Sequence, residues 1–487
     1  MVGTIDAVTG AWYLLLHWWV AVFGDSVTAL RLPAALALSA AAGLTTVLGE
    51  RLVGARAGLL AGLLFAVLPG TSRYGQEARP YALATLLAVL ATVLLVDAVR
   101  RGGWVRWVGY AATVAALGLA HLVALILVGA HAVVVLTEGP SGGRVRRFGA
   151  WSAALVPAAL LLTPLVLVAR EQRSRQLDWV DPARLTDVTG LPGGLAQSAT
   201  VGGLVLGLAA LGALRYGRPA LVPGVCLALP VLLLLAVGSV VPLWVPRYLF
   251  FTVPFGCLLA GAALTLTRAA RADAAPPPVT TDSDTPGTRP DRGTPQSGRL
   301  RRVWVPVRGA GLPAGLAVVA LVGLMGLPDQ VALRRTHEWP RSAAIDYRGA
   351  AEVVVAGRRP GDAVVYAPRD GWLFLDLGMA YHLGRSRPPT GRAEPGDAPA
   401  GPSPAADQPR DALLIRDQAD RGDLWATECA RPAECLAGVT RVWLVVAGRR
   451  DDPLAAVPGA KGDALRADYT VTGVWPRAGL TVALLTR

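Results

Sequence analysis

Long apolar runs recur through the first two thirds of the chain. A stretch of roughly 17 or more such residues is what a helix needs to cross about 30 Å of hydrocarbon. That pattern excludes a chain soluble throughout. The composition agrees: 53% of residues are hydrophobic and 17% charged, against about 25% charged in ordinary soluble domains. The expectation is an all-α polytopic membrane protein. Candidate spans fall near 31–49, 57–69, 80–99, 105–118, 121–137, 151–169, 199–214, 219–241, 247–267 and 312–328. The stretch 104–137 is too long for one crossing and is divided near Gly118–His121. Ahead of these, "AWYLLLHWWVAVFG" at 11–24 is short and aromatic. It suits a helix lying in the headgroup layer.

The net charge of +13 points to nucleic acid only when basic residues gather on a soluble face. Here they are spread through short loops, and no nucleic-acid partner is expected. "ERLVGAR", "RRGGWVR", "SGGRVRRFG", "RYGRP" and the 268–311 segment are all rich in Arg and, with ten spans, all fall on one side. The positive-inside rule makes that side the cytoplasm. "SRYGQEARP", the 170–198 loop, "PLWVPR" and the C-terminal tail then face outward, which puts the chain in the plasma membrane with an extracytoplasmic tail.

Five units follow. Residues 1–30 form an outer loop with the interfacial helix, 31–267 the transmembrane bundle, and 268–311 a disordered cytoplasmic linker. Residues 312–328 form the last span, and 329–487 an extracytoplasmic α/β domain. The linker is rich in Pro, Thr, Asp and Gly, so the triplet Asp282–Asp284 in it reads as solvated acids rather than a metal-diphosphate site. In the last unit, "AAEVVVAGRRPGDAVVYAP" reads as helix, turn and buried strand. "RVWLVVAG" reads as a strand and "YTVTGVWPRAGLTVALLTR" as a hairpin, with a low-complexity insert between. Cys226 and Cys257 lie in apolar runs. Cys429 and Cys435 share a polar segment; on the oxidising side they pair as a disulfide, and otherwise they are two free thiols.

The decapeptide "SRYGQEARPY" places charges between two apolar runs. Charged groups in such places line cavities or face water. Arg79 with Tyr74, Gln76 and Tyr81 makes a cradle for a phosphate, since a guanidinium binds phosphate oxygens as a planar fork. Glu77 either orients Arg79 or helps hold a metal; the plain alternative is a solvated loop. Arg247 and Tyr248, in "VPRYLFFTVP", either anchor a span at the interface or add a second positive group to the same cavity. Asp6 precedes the interfacial helix and has a solvated or capping alternative. His17 and His121 are weaker candidates, more ordinary as packing residues.

Together these segments resemble one family. "RYGQEARPYAL" is similar to the Y-x-Q-E-A-R-x-Y signature of the protein-mannosyltransferase-like branch of GT-C glycosyltransferases, glycosyltransferase family 39. "DAVTGAWYLLLHWWVAVFGDSVTALRLPAAL" resembles that family's first outer loop, and "VPRYLFFTVP" its later R-Y-L motif. The likeness covers about residues 4–270, and the aminoarabinose-lipid transferases share the architecture. It implies a GT-C helical bundle and an inverting transfer of a sugar, often mannose, from a polyprenyl-phosphate donor. The acceptor, a protein or glycolipid, is met at the outer membrane face. A first-loop carboxylate acts as base; no cofactor is implied beyond a divalent cation that the acidic loop residues suggest. The family carries an early span and then an Asp-Glu pair, whereas the present sequence opens inside that loop, and Asp6 matches the second loop acid. The expectation is therefore either a late start, with a span and acidic pair encoded upstream, or a copy impaired in its base. A transporter or flippase of lipid-linked sugar is the alternative, opposed by the absence of an internal repeat.

Overall fold

A computed structural model of the chain describes residues 5–139, 143–177, 180–265, 311–336, 345–385 and 408–487. The expected 268–311 linker, with Asp282–Asp284, lies outside these residues except for Gly311, as does most of the low-complexity insert.

The apolar runs become helices. They are α1 (Gly10–Phe23), α2 (Val27–Leu52), α3 (Ala55–Val67), α4 (Pro69–Tyr74), α5 (Tyr81–Arg101), α6 (Trp104–Ala120), α7 (Leu127–Thr137) and α8 (Arg144–Gln176). There follow α9 (Asp187–Ala196), α10 (Ala199–Tyr216), α11 (Leu221–Gly238), α12 (Val253–Leu264), α13 (Gly311–Met325) and α14 (Leu327–Thr336). Among the described residues six helices are long and apolar enough to cross a membrane, α2, α5, α8, α10 and two that begin in 3₁₀ turns before α11 and α12. The protein is a multi-pass membrane protein. The helix expected to lie in the headgroup layer forms as α1, 14 residues long. The division of 104–137 occurs at His121, whose backbone is extended between α6 and a 3₁₀ turn at Leu122–Ile126.

Two helices depart from expectation. Residues 170–198 read as a loop, but α8 continues to Gln176 and α9 begins at Asp187. The polar run "REQRSRQ" is made of good helix formers and simply prolongs the apolar helix past the core. Asp187 turns back to accept a hydrogen bond from the Arg184 N–H (2.8 Å), closing the first turn of α9.

Packing rests on small residues and on polar groups paired across helices. Lipid tails are as apolar as Leu, so helices in a bilayer associate through close approach and interhelical hydrogen bonds. A Cβ on Gly58 of α3 would stand 2.3 Å from the Thr46 carbonyl of α2. On Gly261 of α12 it would meet the Ala57 carbonyl at 2.5 Å. Deeper in the bundle, His131 of α7 meets the Thr92 hydroxyl of α5 and the Tyr110 hydroxyl of α6, each at 3.0 Å. The Trp151 indole of α8 donates to the same Tyr110 oxygen (3.1 Å). Four helices are thereby joined around a His with no solvent exposure. At the Arg-rich end, Arg51 pairs with Asp97 (2.9 Å), and Arg100 donates to the Arg51 carbonyl (3.0 Å).

The C-terminal part is a small α/β domain. A five-stranded sheet runs in the order β2-β1-β5-β7-β6, built from β1 (Ala363–Ala367), β2 (Arg410–Asp411), β5 (Arg441–Ala447), β6 (Thr470–Arg477) and β7 (Leu480–Thr486). β1 is parallel to β2 and β5, and the closing pair is antiparallel. β3 (Leu414–Arg416) and β4 (Thr427–Glu428) form a separate ribbon. Helices Tyr347–Gly357 and Leu375–Arg385 cover one face of the sheet and Gly459–Asp468 the other. Burial on both faces accounts for the wholly apolar strand β1. Cys429 and Cys435 are joined in a disulfide; Cys226 and Cys257 are buried thiols in the bundle. The domain touches the bundle where the Tyr381 hydroxyl donates to the Asp25 carbonyl (2.8 Å).

Candidate active site

At the end of the bundle away from the Arg51–Asp97 pair, α1, α5, α8, α11 and the 3₁₀ turn before α12 surround a cavity of about 800 Å³. Asp6, Arg79, Tyr81, His121, Arg247 and Tyr248 all line it. They come from four separate places in the sequence and meet because each helix breaks or begins at this level. Proline does much of this. Pro80 precedes α5, and Pro246 opens the 3₁₀ turn Pro246–Thr252 that carries Arg247 and Tyr248. Proline lacks the backbone donor and suits a first helical turn.

Asp6 is only 6% exposed. Its Oδ2 accepts from the Tyr13 hydroxyl (2.6 Å), and Oδ1 accepts from Gln176 Nε2 (2.7 Å). The Ala7 N–H donates to Gln172 Oε1 (2.9 Å). The polar end of α8 therefore fixes the segment that bears the acid. Asp6 precedes the first 3₁₀ turn but makes no side-chain cap bond there, so its carboxylate is not used as a helix cap.

Arg79 is exposed toward the cavity and makes no ion pair with a described residue. Its loop is tied down by the Trp12 indole, which donates to the Ala78 carbonyl (2.9 Å). Arg247 lies within hydrogen-bonding reach of the Tyr81 hydroxyl. Behind these two cations stands an aromatic cluster. His121 lies 5.5 Å from the Tyr81 ring and 5.1 Å from that of Tyr248. The His121 Nδ1 is buried and has no hydrogen-bond partner. The cavity thus offers two guanidinium groups, tyrosine hydroxyls and one carboxylate in an apolar surround. That is a set suited to an anion carrying an apolar tail.

The remaining expected residues stand apart. Glu77 pairs with Arg73 (2.7 Å), one turn back in sequence, and so is not the partner of Arg79. Gln76 Nε2 donates to the Ser72 carbonyl (2.9 Å). Tyr74 is buried, its ring 4.2 Å from Phe250 and 5.8 Å from Tyr81. Glu77, Gln76 and Tyr74 are outside the cavity lining, as is His17, which sits edge-on to Trp18 at 5.8 Å. Among the described residues no group of three or more His, Cys, Asp or Glu gathers as a metal site.

Sequence reasoning missed several lining residues: Tyr13, Gln176, Arg170 and Arg173, and Trp372 and Phe374 of the C-terminal domain. A signal for the α8 group existed. "REQRSRQ" places three Arg and two Gln at the end of an apolar span, more polar groups than an interfacial anchor needs.

A membrane bundle with a polar cavity at one end, beside a small α/β domain, is the architecture that the comparisons with known proteins bear on. A family model for dolichyl-phosphate-mannose-protein mannosyltransferase matches residues 8–167. The fold is similar to that of ArnT from Cupriavidus metallidurans in the apo state, with 15% identity, a TM-score of 0.57, and coverage of 97% of this chain and 87% of that one. ArnT bound to undecaprenyl phosphate gives 14% identity, a TM-score of 0.52, and coverage of 96% and 85%. No curated protein matches by sequence. The chain has the GT-C fold of a multi-pass membrane protein and is similar, over residues 8–167, to the protein mannosyltransferases.

Proposed function

We propose that the protein transfers a sugar from a polyprenyl-phosphate donor to an acceptor hydroxyl at the outer membrane face, with inversion at the anomeric carbon. The observation that carries this reading is the meeting of Arg79, Arg247 and the Asp6 carboxylate in one cavity at the end of an apolar bundle. The similar ArnT structure with undecaprenyl phosphate supports a polyprenyl-linked donor. Mannose is favoured by the matched family's description, and the acceptor is a protein or a glycolipid. The outward placement of the cavity and of the C-terminal domain is supported by the Arg-rich loops at the other end.

In this reading Asp6 accepts the acceptor's proton as its oxygen attacks the anomeric carbon. The bond from that carbon to the phosphate oxygen breaks, and the lipid phosphate leaves. Negative charge grows on the phosphate, and Arg79 with Arg247, Tyr81 and Tyr248 stabilise it in a site partly shielded from water. Tyr13 and Gln176 aim the carboxylate. Glu77 with Arg73, together with Tyr74 and Gln76, holds the shape of the loop that presents Arg79. His121 packs between the tyrosines and offers a further donor to the phosphate.

Purified protein in nanodiscs, supplied with undecaprenyl-phosphate [³H]mannose and membrane extract as acceptor source, tests the reading. Transfer is expected from the wild type and is expected to fall at least 100-fold in Arg247→Gln, by analogy with loss of an electrostatic stabiliser. Equal transfer by the two proteins would reject it.

A further inference from the structure

Two aromatic rings of the C-terminal domain reach the cavity of the membrane bundle. Trp372 and Phe374 line the same cavity as Asp6 and Arg79. Trp372 is 52% exposed, a large apolar area left open in a domain that buries its other core aromatics, Trp443 and Tyr366. It is nonetheless fixed. The Trp372 ring meets Phe374 edge-on at 6.3 Å and Trp425 edge-on at 5.2 Å.

The loop that presents these rings, between β1 and the helix Leu375–Arg385, is braced at every step. At its base Arg369, 3% exposed, binds Asp411 (2.6 and 2.7 Å), Glu428 (2.8 Å) and Asp376 (3.4 Å). The Phe374 N–H donates to the Gly371 carbonyl (3.1 Å), and Tyr347 donates to the Leu373 carbonyl. Phe374 itself has φ +50°, a left-handed conformation that is uncommon for a bulky residue and persists only where the surroundings impose it. Such bracing is not needed to leave a Trp in water. It is what a rigid stacking surface needs, because order fixed beforehand is not lost on binding.

We propose that Trp372, supported by Phe374 and Trp425, is a stacking platform for the pyranose ring of the lipid-linked donor. This rests on the phosphate of that donor lying between Arg79 and Arg247. The lipid tail must then run into the bilayer. The sugar on the other side of the phosphate must project away from it, toward the domain that carries Trp372. A pyranose has apolar C–H faces that lie against an indole, while its hydroxyls remain free for Asp6-side partners. Trp372 is a specificity-determining residue in this account, not a catalytic one.

The test compares two ligands on the full chain in nanodiscs: undecaprenyl phosphate and undecaprenyl-phosphate mannose, titrated into wild type, Trp372→Ala and Trp372→Phe. Wild type is expected to bind the mannosylated lipid more tightly. Trp372→Ala is expected to lose roughly three- to tenfold in affinity for it while keeping its affinity for the plain lipid phosphate. Trp372→Phe, which keeps a ring, is expected to retain most of the preference. Unchanged preference in Trp372→Ala overturns the platform and leaves the phosphate reading standing. An equal loss for both lipids also overturns it, since it assigns Trp372 to the bilayer surface or to folding. Failure of wild type to bind plain undecaprenyl phosphate removes the phosphate reading and the platform with it.

Discussion

Asp6→Asn separates chemistry from architecture. The substitution keeps the shape of the side chain and one carbonyl oxygen. In the wild type the two carboxylate oxygens are used separately, one by the Tyr13 hydroxyl at 2.6 Å and one by Gln176 Nε2 at 2.7 Å. An Asn can direct its oxygen to Gln176 and its NH₂ toward the Tyr13 oxygen, whose hydroxyl is free to rotate. One hydrogen bond is reversed and none need be lost, so the fold should weaken by only about 1 kcal/mol. The binding site for the donor loses one negative charge among Arg79, Arg170, Arg173 and Arg247. Affinity for an anionic lipid should therefore stay the same or rise by up to a few-fold. The transferred proton, however, has lost its acceptor. Positioned general bases contribute about 10²–10⁴-fold, and kcat should fall by that factor, a rise of roughly 3–5 kcal/mol in the barrier. Single-turnover transfer from prebound undecaprenyl-phosphate [³H]mannose reads this directly, because binding is complete before the clock starts. A decrease of less than tenfold, with donor bound at wild-type affinity, would refute the role of Asp6 as base and leave it a structural acid.

Other consequences lie outside the cavity. Tyr110→Phe strips the hydroxyl that serves both His131 and the Trp151 indole; thermal unfolding in detergent should show a loss of about 1–3 kcal/mol, with donor affinity unchanged. Gly58→Leu forces a side chain into the backbone of α2 and should abolish a monodisperse protein, whereas Gly43→Ala, where a Cβ meets nothing within 4 Å, should be silent. Arg369→Met removes the cation that joins Asp411, Asp376 and Glu428 and leaves only Lys461, on Glu428, which should cost the C-terminal domain about 3–5 kcal/mol at neutral pH. Burial already pushes the Asp411 carboxyl up from its ordinary value, and Arg369 opposes that shift. Without Arg369 it rises further. A raised folded-state value gives stability that is present at low pH and fades as pH climbs through it, so the variant should regain stability on acidification, read by the loss of its domain's unfolding transition at higher pH.

How much of this was readable in the sequence depended on the range over which each feature is determined. Helices written as apolar runs, the break at His121 and the strands β1, β5, β6 and β7 follow from local pattern, since burial on one or both faces imposes its own period. The meeting of Arg79 with Arg247 was expected from a shared membrane face, and the cavity lining agrees. In the sequence Glu77 reads as orienting Arg79, holding a metal or solvated in the loop 72–80, and its pairing with Arg73 is not among those readings. The chain turns back at the end of α4, and Glu77, just past that end, closes on Arg73 in its last turn. Gln176 and Trp372 were out of reach for another reason. They stand 170 and 366 residues from Asp6 in the chain, and nothing in a local window says that the end of α8 or a loop of the soluble domain will close the same cavity.

The central claim is that a lipid phosphate docks between Arg79 and Arg247. An experimental structure of the protein in nanodiscs with undecaprenyl-phosphate mannose tests it most directly. The account predicts phosphate oxygens within about 3 Å of both guanidinium groups, the prenyl chain entering the bilayer between helices, and the sugar against Trp372. A phosphate bound elsewhere, on Arg170 and Arg173 alone or at the Arg51 end of the bundle, would contradict it.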